Sequence, residues 1–234
     1  MPQFFQILLF SLLMVGHPKA ELPDSKRASG VRALVWPRLQ KELRDKGLDE
    51  NAPVYMRIFK DQDALEVWKK AGGKYKLFKT YEICYYSGNL GTKTKLGDNK
   101  SPEGFYTIEP KQLNPVSNYY LAINVGYPNK LEQLKGYTGD AIMVHGHCAS
   151  VGCYAMTDPR IEEIYTLVYK AFEAGQQKIN LDIFPFRMDD AHMEFYSHQP
   201  YLTFWKTMKP GYEKFEKTHL PVNYFIRGKD YAFE

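Results

Sequence analysis

The sequence predicts a mixed α+β domain, rich in strands, with helices flanking it at both ends. Three observations lead there. Short apolar runs separated by tight turns fill residues 53–86. A Gly/Ser/Lys-rich tract, residues 87–104, follows as a long loop. An amphipathic stripe then begins at Asp158.

Composition sets the outer bounds. A chain of 234 residues suffices for one large domain that buries roughly 70% of its extended-chain surface. With 31 Lys+Arg against 27 Asp+Glu and 44% hydrophobic residues, wholesale disorder is excluded. A net charge of +4 is too small to argue for a nucleic-acid partner. Three cysteines exclude a disulfide-dense mini-protein. Aromatic residues make up 15% of the chain, and they read as core rather than as a sugar platform. No Gly-x4-Gly-Lys-Ser/Thr is present, so the Gly-rich tract is not a phosphate loop.

In chain order, Phe4 to Val15 reads FFQILLFSLLMV. Twelve residues make about 18 Å of helix, short of a bilayer core of about 30 Å. Residues 1–20 therefore read as a secretory signal with cleavage expected after Ala20. A retained N-terminal anchor is the alternative, and no Leu-x-x-Cys lipobox exists. Export permits disulfides.

Residues 21–52 are expected to hold a polar linker, Glu21 to Gly30, and then a helix over Val31 to Lys46. Leu34, Val35, Leu39 and Leu43 give the spacing, Pro37 marks a kink or the true start, and Gly47 suits the stop. Between Ser25 and Lys46 seven basic residues face two acids. They read as a solvated face or as a contact with an acidic envelope surface.

Val54 to Lys60, Ala64 to Trp68 and Tyr75 to Cys84 read as three antiparallel strands. Phe105 to Ile108, Tyr120 to Val125 and Ala141 to Val144 read as further strands. Asp158 suits an N-cap and Pro159 the first helical position, with Gly175 at the far end. Ile179 to Phe184 is a strand. Asp189 to Tyr196 and Thr203 to Lys209 look helical, Pro210-Gly211 is expected to end the second, and Tyr212 to Lys217 are expected to add another helical turn before Pro221. A hairpin is expected within Val222 to Phe233. The domain reading is a core at 53–186 and a C-terminal helical extension packed on it at 187–234.

The chemistry concentrates in residues 142–156, IMVHGHCASVGCYAM. An apolar strand ends in His145-Gly146, and a short loop leads to Ser150-Val151-Gly152-Cys153. Thiolate is the nucleophilic form of cysteine, and a nearby imidazole can take its proton and return it to a leaving amine. The N–H groups of Gly152 and Cys153 are candidates to stabilise an oxyanion. His147, two residues after His145, would project to the same face of an extended segment. It reads as a loop or supporting residue, with the base as the alternative role. His145, His147, Cys148 and Cys153 fit no common zinc spacing, so no metal is expected.

These residues carry a resemblance. His-Gly, a loop and Ser-x-Gly-Cys is similar to the active-site signature of the YkuD-type L,D-transpeptidases. Gly97-Asp98-Asn99-Lys100-Ser101-Pro102-Glu103-Gly104-Phe105-Tyr106 resembles that family's Gly…Thr/Ser-Pro-x-Gly-x-Phe segment. The short loop between His145 and Cys153, and Tyr154-Ala155 after the cysteine, depart from the commonest pattern and resemble the YafK-like branch. That branch includes an enzyme implicated in detaching an outer-membrane lipoprotein from peptidoglycan.

The resemblance implies a β-sandwich or barrel-like catalytic core in a periplasmic protein. It implies Cys153 as nucleophile, His145 as proton acceptor and donor, and the Gly146 carbonyl orienting the imidazole. Ser150 would shape the loop. Tyr106 and Arg187 are weaker candidates for binding a substrate carboxylate. Peptidoglycan stem peptides are the implied substrate, with outer-membrane lipoprotein as a further partner and no cofactor. Hydrolysis of a lipoprotein–diaminopimelate link leads. Formation of 3→3 crosslinks, lipoprotein attachment and L,D-carboxypeptidase action stand beside it, as does a cell-wall binding protein without turnover. If Cys153 must stay free, Cys84 and Cys148 are the only pair left for a disulfide.

Overall fold

The computed structural model describes residues 21–234, so the apolar run and the cleavage position expected at Ala20 lie outside the described residues. The chain enters through α1, Lys26–Asp45, capped by the Ser25 hydroxyl, which accepts the Ala28 N–H. The helix thus begins inside the segment expected to be a linker, and Pro37 lies within it. Ala28, Val31, Val35, Leu39 and Leu43 are buried, whereas Leu34 points outward. Several of the basic residues turn back onto the chain rather than forming a free cationic face. Arg32 pairs with Asp24, Arg38 with Glu163, and Arg27 donates to the carbonyls of Ser117 and Tyr120.

The strands β1 (Val54–Phe59), β2 (Ala64–Ala71), β3 (Lys74–Glu82) and β4 (Tyr85–Tyr86) follow. After the loop come β5 (Gly104–Ile108), β6 (Leu113–Asn114), β7 (Ala122–Asn124), the short α2 (Lys130–Leu134), β8 (Met143–His145) and β9 (Tyr154–Ala155). Then come α3 (Asp158–Glu173), β10 (Ile179–Phe184), α4 (Asp190–Phe195), α5 (Leu202–Thr218) and the hairpin β11 (Tyr224–Arg227) and β12 (Asp230–Phe233). The segment after residue 187 is therefore helical only in part.

Two five-stranded sheets form the core, in the orders β3-β2-β1-β10-β5 and β4-β9-β8-β7-β6. In the first, β1 and β10 pair in parallel and the other neighbours are antiparallel. In the second, only β8 and β9 are parallel. Helix α3 touches β1 of one sheet and β7 and β8 of the other, and α1 packs on α3.

Every residue of β1 is buried, because both of its faces are covered. Val54, Met56 and Ile58 enter the large core shared with α3, while Tyr55 and Phe59 join aromatic clusters with Phe215 and Tyr212 of α5. Helix α5 runs through Pro210-Gly211, where the sequence suggested a stop. A mid-helix proline costs about 3 kcal/mol. Burial of Tyr212 and Phe215 beyond it contributes roughly 1.5–3 kcal/mol each and offsets that cost. Gly211 allows the close approach: a Cβ there would lie 2.5 Å from the Phe233 ring and 2.8 Å from Phe105.

Candidate active site

The pairing of β8 with β9 brings the candidate residues to one sheet face, two register positions apart. Val144 faces Tyr154 and His145 faces Ala155 in parallel register. Cys153 precedes β9 by one residue, which places it beside Met143, and the Met143 N–H donates to Cys153 Sγ at 3.3 Å. Side chains alternate along strands. Val144 and Tyr154 therefore enter the core, and His145 and Cys153 share the other face.

The His145 ring is almost fully buried, and its Nδ1 lies 2.6 Å from the Gly146 carbonyl oxygen. A carbonyl only accepts, so Nδ1 carries the proton and Nε2 keeps a lone pair. The Tyr119 ring packs on the imidazole with centroids 4.6 Å apart. Burial holds His145 below its ordinary pKa, against the opposing Gly146 hydrogen bond. Burial pushes the Cys153 thiol up, and the Met143 N–H and the Lys93 ammonium pull against it. Both shifts favour the uncharged form of each group. The thiol lies half-buried, with Sγ 3.6 Å from the Ala141 carbonyl.

Gly146 and Gly152 are there for space. A Cβ at Gly146 would stand 2.6 Å from Asp158 Oδ1 and 2.9 Å from the Tyr119 carbonyl. Gly152 has φ +93, and a Cβ there would meet the Lys100 carbonyl at 3.1 Å. Its N–H, named above as an oxyanion donor, already donates to Ser87 Oγ at 2.7 Å. That amide is engaged in holding the loop. Ser150 Oγ donates to the Cys153 carbonyl at 2.7 Å, and Ser101 Oγ reaches the same carbonyl at 3.5 Å. Cys84 and Cys148 are joined in a disulfide, Cα atoms 5.4 Å apart, which ties the loop between His145 and Cys153 to the end of β3.

The weaker candidates lie elsewhere. Strand β8 ends at His145, so the extended path that would align His147 with it is broken. His147 has φ 59, is exposed and sits beside Asp158. Tyr106 is buried and donates to Glu132 at 2.6 Å, leaving no hydroxyl for a substrate carboxylate. Arg187 is bound to Glu66 at 2.6 Å and to Gln62, and its guanidinium lies over the Phe59 ring. Both are structural. Among the described residues no group of three or more His, Cys, Asp or Glu is arranged to hold a metal ion. No helix among them is long and apolar enough to cross a membrane.

Sequence reasoning missed Ser87, Lys93, Tyr119 and Asp158. Ser87 and Lys93 belong to the loop flagged by composition, whose single residues carried no signal. That loop is fixed from below: Lys60 and Glu103 form a fully buried pair at 2.9 Å, and Glu103 also accepts the Gly91 N–H at 2.7 Å and the Trp205 indole N–H at 2.7 Å.

The fold, with the imidazole at the end of β8 and the thiol just before β9, defines a class, and comparison with known proteins places the chain in it. Residues 53–179 match the YkuD family, the L,D-transpeptidase catalytic domain, and the chain belongs to that family. Curated relatives from Escherichia coli K12 and O157:H7, both named "Putative L,D-transpeptidase YafK", are 47% identical over 170 residues, covering 73% of this chain and 69% of theirs. Among solved structures, the helical cell shape determining protein Pgp2 from Campylobacter jejuni aligns at 19% identity and TM-score 0.46, over 81% of this chain and 80% of that one. Bd1075 of Bdellovibrio bacteriovorus aligns at 18% identity and TM-score 0.40, over 71% of this chain and 61% of that one.

Proposed function

We propose that this protein is a periplasmic, cysteine-dependent enzyme of peptidoglycan stem peptides that hydrolyses the amide between meso-diaminopimelate and a lipoprotein lysine. The observation that carries this reading is the His145 ring. Its Nδ1 is committed to the Gly146 carbonyl, which leaves Nε2 to exchange protons on the sheet face that also bears Cys153.

His145 Nε2 takes the thiol proton as Cys153 Sγ attacks the carbonyl at the L-centre of diaminopimelate. The C–N bond breaks, and the leaving amine takes the proton from Nε2. The thioester then meets an acceptor, which gives its own proton to Nε2. Water releases the stem carboxylate and restores the thiol, whereas a diaminopimelate amine would give a 3→3 crosslink. The likeness to YafK-type proteins and the half-buried thiol support the family chemistry, and the branch resemblance favours water. The Cys84–Cys148 disulfide supports an oxidising compartment.

The test is to incubate the purified protein with lipoprotein-linked sacculi and with tetrapeptide muropeptides and to identify products by mass. Released lipoprotein, absent with Cys153→Ala, is the expected result. Dimers joined 3→3, or tripeptides alone, would replace hydrolysis of the lipoprotein link with transpeptidation or carboxypeptidation. No product on any substrate would overturn the enzyme reading.

A further inference from the structure

The peptide unit between Gly146 and His147 has both polar ends committed. Its carbonyl accepts from His145 Nδ1 at 2.6 Å, and its N–H donates to Asp158 Oδ1 at 2.8 Å. The Asp158 carboxylate lies directly over Gly146, which is why no Cβ fits there. Two residues with side chains adopt positive φ to bring these groups together, His147 at 59° and Thr157 at 70°. The Thr157 N–H is tied to the His147 carbonyl at 2.8 Å. Such conformations cost of order 1–3 kcal/mol each and persist where the surroundings enforce them.

Building on the Cys153–His145 reading, we propose that Asp158 is a positioning residue for His145, acting through the Gly146–His147 peptide. Negative charge at the N–H end of a peptide draws electron density toward its carbonyl oxygen, and a chain of hydrogen bonds polarises cooperatively. The Gly146 carbonyl becomes a stronger acceptor for Nδ1–H. The imidazolium that forms when Nε2 takes the thiol proton is stabilised. Nδ1 keeps its hydrogen throughout, and no proton crosses the peptide. In a Ser-His-Asp triad the carboxylate meets Nδ1 directly. Here one peptide unit intervenes and Asp158 is partly exposed, so the effect is smaller and partly screened.

Other charged and titratable groups surround the device. His147 Nε2 lies 4.0 Å from Asp158 Oδ1. Tyr120 donates to Glu162 at 2.6 Å, with Arg27 over its ring. Lys93 acts on the thiol side.

The test compares wild type with Asp158→Asn, which keeps an oxygen acceptor but removes the charge, with Asp158→Glu, which restores the charge, and with His145→Ala. The rate of Cys153 alkylation by iodoacetamide is followed by intact mass from pH 5 to pH 10. Asp158→Asn is expected to slow alkylation near pH 7 by about three- to tenfold, a change of about half to one pKa unit. Its curve should rejoin wild type near pH 10, where the thiol ionises unaided, and Asp158→Glu should recover most of the rate. A ¹⁵N titration should show the His145 imidazole moving to lower pKa in Asp158→Asn. A role confined to packing would lower rates without moving either titration. If Asp158→Asn does not fold, Asp158→Ser, another neutral acceptor suited to a helix start, is judged by the same curves. An Asp158→Asn profile superimposed on wild type, with His145→Ala slowed, would overturn the role of Asp158 alone. A His145→Ala profile superimposed on wild type would instead refute the underlying pair.

Discussion

The chemistry at residue scale depends on close approaches that leave no room for a methyl group. Gly146 is the sharpest case, pressed between Asp158 Oδ1 and the Tyr119 carbonyl. Gly146→Ala should lower stability by about 1–3 kcal/mol through overpacking. On the proposed mechanism it should also cut turnover by about 100-fold, because the carbonyl that orients the imidazole must move. Thermal melting and a product assay on the same preparation check both parts; full activity in a folded variant would sink the claim. The sequence singled out His145 because it ends an apolar run before a glycine, and Cys153 because it follows Ser-x-Gly a short loop later. Asp158 was not, since an Asp before Pro at the head of an amphipathic stripe looks like an ordinary cap. The structure makes Thr157 the cap and turns the Asp158 carboxylate to the His147 N–H.

Among elements, the loop over residues 87–104 and the segment between His145 and Cys153 hold each other. Ser87 receives the Gly152 N–H, and Ser101 reaches the Cys153 carbonyl. The Lys60–Glu103 pair and the Cys84–Cys148 disulfide fix the two segments from opposite sides. With its cysteines 64 positions apart, the disulfide should contribute about 2–4 kcal/mol. The double variant Cys84→Ser/Cys148→Ser should show that loss in urea unfolding, together with reduced activity. Thiol titration of the denatured, unreduced protein should find a single reactive group, and finding three would contradict the pairing. At this scale the longer strands and α3 were readable from apolar spacing, but the two-residue strands β4, β6 and β9 and the ends of helices were not. Helix α5 continues through Pro210 because its far half is held by aromatic contacts that local sequence cannot reveal.

For the whole molecule, two buried carboxyls set the response to pH. Burial raises Asp182, which accepts the Tyr55 hydroxyl, to about 7, and raises Glu132, which accepts from Tyr106, to about 7. Both hold a proton in the fold at pH values where the unfolded chain has released it. The fold therefore gains stability as pH falls from about 7 toward the unfolded carboxyl values near 4. His145, held below its ordinary value, works in the opposite sense below about pH 6.5, as do Lys69, lowered to about 8 by burial, above about pH 8 and Asp98, lowered to about 2, once pH nears 4. Melting temperature should rise on acidification from pH 8 to about pH 5, and Asp182→Asn should flatten that rise while melting higher than wild type at pH 8. A wild-type melting point independent of pH across this range would refute the account. The mixed, strand-rich class was legible from the sequence, but the order of strands was not. Strand β1 announces itself through VYMRIF, yet nothing in that run names residues 181–184 as its neighbours. That pairing has a consequence for assembly. The central ladder of the first sheet joins segments separated by about half the chain, with β10 inserted between β1 and β5. A nascent polypeptide delivered from its amino end must hold β1 without its final partner until residue 184 has emerged. Long-range closure of this kind slows folding, so the first sheet can close only once most of the chain is available to it.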